Sequence, residues 1–141
     1  MYLLDTNVLS ELRKVPSGKA DLKVKTWAQG VPEGRLFISV ITIFELEIGL
    51  LLVARRDATQ GEMLRTWLER YLIPAFSDRI LPVTLDIARR GSRLHVPNLR
   101  PRRDGLIAAT ALTHQLTVVT RDVADFSPTG VPIVNPWQAF P

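Results

Sequence analysis

The chain opens Met1-Tyr2-Leu3-Leu4-Asp5-Thr6-Asn7. An apolar run followed by three polar residues reads as a short buried strand that delivers one carboxylate to the edge of a sheet. In an open α/β sheet, ligands gather in the crevice beyond the carboxyl ends of the strands, which makes Asp5 a site candidate. A second reading stands beside the first, because Asp, Thr and Asn are all good N-caps and a helix follows. The run leaves no room for a leader peptide, so the protein is expected to remain in the cytoplasm.

Downstream, strand and helix patterns alternate. Val8 to Arg13 has short helical spacing, and residues 19–29 form a second amphipathic helix ended by Gly30 and Pro32. Arg35-Leu36-Phe37-Ile38-Ser39 reads as a strand covered on both faces. Helices are expected over Val40 to Ala54 and over 58–72, a short strand over Arg79 to Val83, and a helix from Leu85 to Leu94. An irregular loop, Val96 to Pro101, leads to a helix opened by Asp104, whose Gly and Ala residues permit close approach to the sheet. Leu116-Thr117-Val118-Val119-Thr120 is β-branched and apolar, the clearest strand. One helical turn over Val123 to Phe126 and a last strand, Val131 to Val134, complete the order. Pro82 and Pro132 mark the third and last strands as edges. Such alternation predicts one α/β domain spanning 1–141, with a mostly parallel sheet covered by helices on both faces.

Composition narrows the class. With 141 residues, 46% of them hydrophobic and 23% charged, the chain is long enough to bury about two-thirds of its unfolded surface. No apolar run reaches the roughly 20 residues of a membrane span. The absence of cysteine excludes disulfides, thiolate nucleophiles and cysteine-ligated zinc. The net charge of +4 is compatible with a polyanionic partner, and its distribution says more. Every basic residue after Lys25 other than His95 and His114 is arginine, and Arg89, Arg90, Arg93, Arg100, Arg102 and Arg103 crowd the approach to Asp104. Their planar forks suit phosphate, although a merely solvated face has the same composition.

Four acids share one context. Asp5 and Asp122 follow strands, while Glu45 and Asp104 stand at or near helix starts. In a covered parallel sheet these positions lie on one edge, so all four acids are expected to converge. Glu45 also fits a capping box with Thr42, which is its bland reading. Converging carboxylates repel unless a cation offsets them. Oxygen ligands without His or Cys point to Mg²⁺, with Mn²⁺ as a substitute, rather than zinc. Other chemistries fit less well. His95 and His114 lack metal-ligand spacing, neither a P-loop nor a Gly-x-Ser-x-Gly elbow is present, and a phosphoacceptor site lacks the late lysine it needs.

The blocks Tyr2-Leu3-Leu4-Asp5-Thr6-Asn7, Ser39-Val40-Ile41-Thr42-Ile43-Phe44-Glu45-Leu46, Asp104-Gly105-Leu106-Ile107-Ala108-Ala109-Thr110-Ala111 and Val119-Thr120-Arg121-Asp122 occur in the order found in PIN-domain ribonucleases. The closing Gly130-Val131-Pro132-Ile133-Val134-Asn135-Pro136-Trp137 resembles their VapC toxin branch. The resemblance implies a flavodoxin-like α/β/α sandwich of five parallel strands and a Mg²⁺-dependent endoribonuclease. It also implies the toxin of a type II toxin–antitoxin pair, a homodimer with a cognate antitoxin as partner and RNA as substrate. On it, Asp5, Asp104, Glu45 and Asp122 are the metal-binding and catalytic acids, with Asp125 a competitor for the fourth place. Thr6, Asn7 and Thr120 match polar residues that orient the acids or the attacking water. Arg121 is placed to touch phosphate, and Arg102 and Arg103 join the substrate contacts. Arg100-Pro101-Arg102-Arg103 departs from the more apolar run that the resemblance leads one to expect before Asp104. The alternative from a different class is an inactive α/β module that binds an acidic partner or nucleic acid, its acids serving only as caps.

Overall fold

In the computed structural model, which describes residues 1–138, five short strands send alternate side chains to opposite faces of one sheet. The strands are β1 (Tyr2–Leu4), β2 (Leu36–Ser39), β3 (Ile80–Leu81), β4 (Thr117–Val119) and β5 (Ile133–Val134). They lie in the order β3-β2-β1-β4-β5, and every pairing is parallel. Leu4, Leu36, Ile38, Ile80, Val119 and Val134 pack into one apolar layer, and Leu3, Phe37, Leu81, Val118 and Ile133 into the other. That two-residue alternation lets so short a sheet feed two cores.

Helices α1 (Thr6–Leu12), α2 (Leu22–Gln29), α3 (Val40–Arg56) and α4 (Ala58–Thr66) contribute Leu9, Trp27, Leu50 and Leu64 to the first layer. Helix α4 runs into a π-helical segment, Trp67–Leu72, and a last turn, α5 (Ile73–Ala75), so the helix expected over 58–72 changes pitch half-way. The other layer holds α6 (Leu85–Arg93), α7 (Arg102–His114) and the single turn α8 (Val123–Phe126), with Ile107, Ala108, Ala111 and Phe126 fully buried. This is the expected three-layer α/β/α sandwich, with β3 and β5 at its edges. Among the described residues, no helix is long and apolar enough to cross a membrane.

One local expectation fails. Helix α3 follows β2 without a loop, and Ser39 is its N-cap, its hydroxyl accepting from the Ile41 amide at 3.0 Å. Thr42 therefore lies inside the first turn, its buried hydroxyl without a hydrogen-bond partner among the described residues, and the capping box with Glu45 does not form. Serine at the strand end offers the cap earlier than threonine does. Glu45 is left one turn into the helix with its carboxylate free for other partners.

The α3–α4 hairpin closes tightly at Gly61, where an added Cβ would lie 2.5 Å from that of Ala54. A second pin is Glu11, 8% exposed, a residue with no evident role in the sequence. Its carboxylate accepts from the Asp21 amide at 2.9 Å and from Lys14 Nζ at 3.2 Å, fastening the start of α2 to α1. The Asp21 amide, with help from Lys14 and Arg121, holds the Glu11 carboxyl below the ordinary 4.5. A depressed pKa means that the unfolded chain binds the proton more readily, so this stabilisation is present above about pH 4.5 and is lost as pH falls through the folded value. Glu11→Gln is expected to lower stability at pH 7 by about 1–2 kcal/mol. Urea unfolding should also show a shallower loss of stability for the variant than for the parent between about pH 5 and pH 3.

Candidate active site

The strand order reverses direction about β1, since the chain runs from β1 through β2 to β3 on one side and returns to β4 and β5 on the other. The crevice at such a switch point, beyond the carboxyl ends of β1 and β4, is where this architecture binds ligands. Leu4 pairs with Val119, which sets Asp5 and Thr120, the next residues along, side by side. The Asp5 amide donates to the Val119 carbonyl at 2.9 Å, so the last rung of the ladder holds the Asp5 backbone in place.

Asp5 is fully buried and answers both of its sequence readings. Its Oδ1 accepts from the Thr6 amide at 2.8 Å as the cap of α1, and its Oδ2 accepts from the buried Thr120 hydroxyl at 2.8 Å. Glu45 reaches in from α3, and its Oε1 accepts from the Thr6 hydroxyl at 2.7 Å. Asp104, in the first turn of α7, is 2% exposed. Burial raises its pKa to about 6, and the carboxylates of Asp5, Asp125 and Asp122 push the same way while Arg103 opposes them.

The inner oxygens of these three acids meet one positive group. Arg103 Nη2 lies 2.5 Å from Asp5 Oδ1, Nη1 donates to Asp104 Oδ1, and Nε pairs with Glu45 Oε2 without hydrogen-bond alignment. Burial disfavours the Arg103 charge, but Asp5 and Glu45 outweigh it and hold the guanidinium protonated more firmly than usual.

Asp122 does not touch the guanidinium and joins at one remove. It occupies the N-cap position of α8 without making a capping bond, and its Oδ2 accepts from Asn7 Nδ2 at 3.1 Å. Its amide donates to the Thr120 hydroxyl at 2.9 Å, so Asn7 and Thr120 link β1, β4 and α8 into one network. Asp125, on α8, is exposed and takes no part in it. Arg102 is exposed and lines a shallow cleft with His95, Leu99 and Arg100. The Arg121 guanidinium stacks over Trp137, 4.2 Å from the ring centre. His95 is a loop organiser, its Nδ1 accepting from the Arg100 amide at 3.3 Å and its Nε2 lying where a Cβ on Gly105 would stand, 2.7 Å away. The smallness of Gly105 thus serves this contact with His95. His114 is exposed at the last residue of α7.

Two observations bear on a divalent ion. The donors are hard oxygens only, and each of three carboxylates turns one oxygen toward a single cation. That cation is Arg103, around which the acids are spread, and among the described residues no three acidic or histidine side chains stand ready to ligate an ion. The set suits Mg²⁺ in donor chemistry, while its spacing is that of carboxylates closed around a guanidinium. Asp5, Glu45, Asp104, Thr6, Asn7 and Thr120 all reach this edge, as their places in the sequence lead one to expect. The counter-ion role of Arg103 is not legible there; its signal is a basic residue in the same helical turn as an acid that lacks compensation.

The family model of the PIN domain matches residues 2–129. The chain belongs to the PIN-domain family. Among curated relatives, this PIN domain is 36% identical over 143 residues to VapC ribonuclease Y4jK of Sinorhizobium fredii, covering 98% of this chain and 99% of that protein. It is also 36% identical over 145 residues to toxin FitB of Neisseria gonorrhoeae, again covering 98% and 99%. Among solved structures, FitAcB from Neisseria gonorrhoeae superposes with a TM-score of 0.88 at 33% identity, covering 99% of this chain and 100% of that one. FitAB bound to an IR36 DNA fragment gives 0.89 at 30% identity, covering 99% and 98%.

Thr120 is the buried support on which the PIN-domain cluster leans, since its hydroxyl serves Asp5, Asp122 and, at 3.4 Å, Asn7. Thr120→Val keeps the shape and strands a buried carboxylate oxygen, so chemical denaturation at neutral pH should show a loss of about 2 kcal/mol. Thr120→Ser should recover most of it.

Proposed function

We propose that this PIN domain is a Mg²⁺-dependent endoribonuclease and the toxin of a type II toxin–antitoxin pair, acting in the cytoplasm. The observation that carries the proposal is the convergence of Asp5 Oδ1, Asp104 Oδ1 and Glu45 Oε2 on one cationic position at the sheet's switch point. Acids serving only as helix caps would not meet this way, since Glu45 and Asp104 cap nothing. The names of relatives agree, one being a VapC ribonuclease and another a toxin.

In this reading Asp5, Glu45 and Asp104 hold the metal, and Asp122 completes the acidic rim. Bound there, the metal supplies an activated water and neutralises charge developing on the scissile phosphate. The protein's part is positioning. Thr6 fixes Glu45 through its hydroxyl and Asp5 Oδ1 through its amide, Thr120 fixes the other Asp5 oxygen, and Asn7 aims Asp122. Arg102 at the start of α7, two residues before Asp104, and Arg121 just beyond β4, next to Asp122, contact the RNA backbone in this reading.

Partner binding has its own surface. Phe44, Ile48, Leu51 and Leu52 of α3 are exposed, as are Met63 and Tyr71, and Leu12, Pro16, Met63, Trp67 and Tyr71 line a groove of about 920 Å³. Apolar exposure on this scale marks protein contacts, which we assign to the antitoxin and to a second copy of the chain in a homodimer. The structural neighbours include a toxin–antitoxin complex from Klebsiella pneumoniae, at 28% identity and a TM-score of 0.68.

The test is cleavage of a single-stranded RNA by the purified protein with Mg²⁺ or with EDTA. Cleavage should require Mg²⁺, leave 5′-phosphate and 3′-hydroxyl ends, and fall at least about a hundredfold in Asp5→Asn and in Asp104→Asn. Undiminished cleavage in EDTA, or by either variant, would contradict the assignment.

A further inference from the structure

Arg103 occupies the position around which the acids are arranged, and this inference rests on the metal-dependent reading of that cluster. Asp5 and Glu45 divide their oxygens in the same sense, and Asp104 adds a third oxygen on the inner side. Asp5 Oδ2 and Glu45 Oε1 are held by the hydroxyls of Thr120 and Thr6, whereas Asp5 Oδ1, Glu45 Oε2 and Asp104 Oδ1 all turn to the one guanidinium. One oxygen of each of the three acids is thus held by Arg103, and that of Asp5 accepts from the Thr6 amide as well. A divalent ion and the guanidinium cannot both stand at the centre these oxygens surround, because like charges repel there and a hard ion needs the close approach that the guanidinium now occupies.

We propose that Arg103 is a resident counter-ion in the cation position, so that metal loading is an exchange in which its side chain leaves the carboxylates.

Charge gives the exchange its direction. Three carboxylates and one guanidinium sum to −2, whereas the same carboxylates with a divalent ion sum to −1, a better-compensated pocket. Geometry gives it a route. The Arg103 side chain is 29% exposed, so it is walled in by acids on one side and open to solvent on the other. It stands in the first turn of α7 just after Pro101, and a change of rotamer can carry its head outward without moving the helix. The residue has two consequences. It keeps buried carboxylates compensated when metal is scarce, and it lowers the apparent affinity for metal by competing for the same oxygens. Arg103 is a positioning residue in this sense, acting on the site through the charge it holds there.

The experiment is calorimetric titration of Mn²⁺ into the full chain and into Arg103→Met, which keeps length and removes charge. The exchange predicts Mn²⁺ binding tighter by roughly tenfold or more in the variant. It also predicts a lower metal-free melting temperature for the variant, which Mn²⁺ raises more than it raises the parent's. A second measurement uses the parent alone, so that it decides even if the variant fails to fold. In ¹⁵N spectra the Arg103 guanidinium signal should be protected in EDTA and exchange rapidly with solvent at saturating Mg²⁺. Equal or weaker Mn²⁺ affinity in Arg103→Met, or an Arg103 signal unmoved at saturating Mg²⁺, would overturn the exchange and leave metal binding standing. Absence of Mn²⁺ binding in both proteins would overturn the exchange together with the metal-dependent reading.

Discussion

Carboxylates gathered in a pocket shielded from water need positive charge among them, and the rest of this structure is arranged around that need. Asp5 is fully buried at the end of the central strand and Asp104 nearly so, while Glu45 leans in from α3. Left uncompensated, such a group would push its members toward protonation or apart. The Arg103 guanidinium and the hydroxyls of Thr6 and Thr120 hold it together instead. Replacing such a group by apolar residues often costs a fold little, so its presence points to use rather than to stability.

The scaffold makes the gathering possible at low cost. With every pairing parallel, the strands end at one edge, and β1 and β4 end there one residue before Asp5 and Thr120. Helices leave from the same edge, and α3 does so without a loop, which brings Glu45 across the crevice rather than along the surface. The two apolar layers fix the register, because a one-residue slip in β1 would exchange Leu3 with Leu4 between cores and turn Asp5 away. Core packing and site geometry are one constraint in this molecule.

Much of this was legible in the chain itself. Strand runs as short as Leu3-Leu4 and Val118-Val119 announce a sheet through their apolar content, and prolines beside β3 and β5 mark the edges. The acids are legible because each sits where a strand stops or a helix starts. Glu45 was half-legible, since Thr42 and Glu45 have capping-box spacing and only the earlier cap at Ser39 rules that out. Glu11 gave no signal, because burial of a charge by a loop that folds back depends on contacts between segments. In the sequence Arg103 reads with its neighbours as a phosphate contact, and Arg102 and Arg103 are indistinguishable by type. Helix α7 separates them, sending one into solvent and the other into the acids. Propensity and spacing do not encode a choice that depends on rotation about a helix axis.

The role of the acid cluster is decided by where a divalent ion sits when the protein holds one. Crystals grown with Mn²⁺ and measured at its absorption edge would show this directly. One anomalous peak is expected roughly 2.0–2.3 Å from carboxylate oxygens of Asp5 and Asp104, within reach of Glu45, with the Arg103 head displaced from them. A peak elsewhere on the molecule, or ordered acids still closed around Arg103 at saturating Mn²⁺, would contradict this expectation.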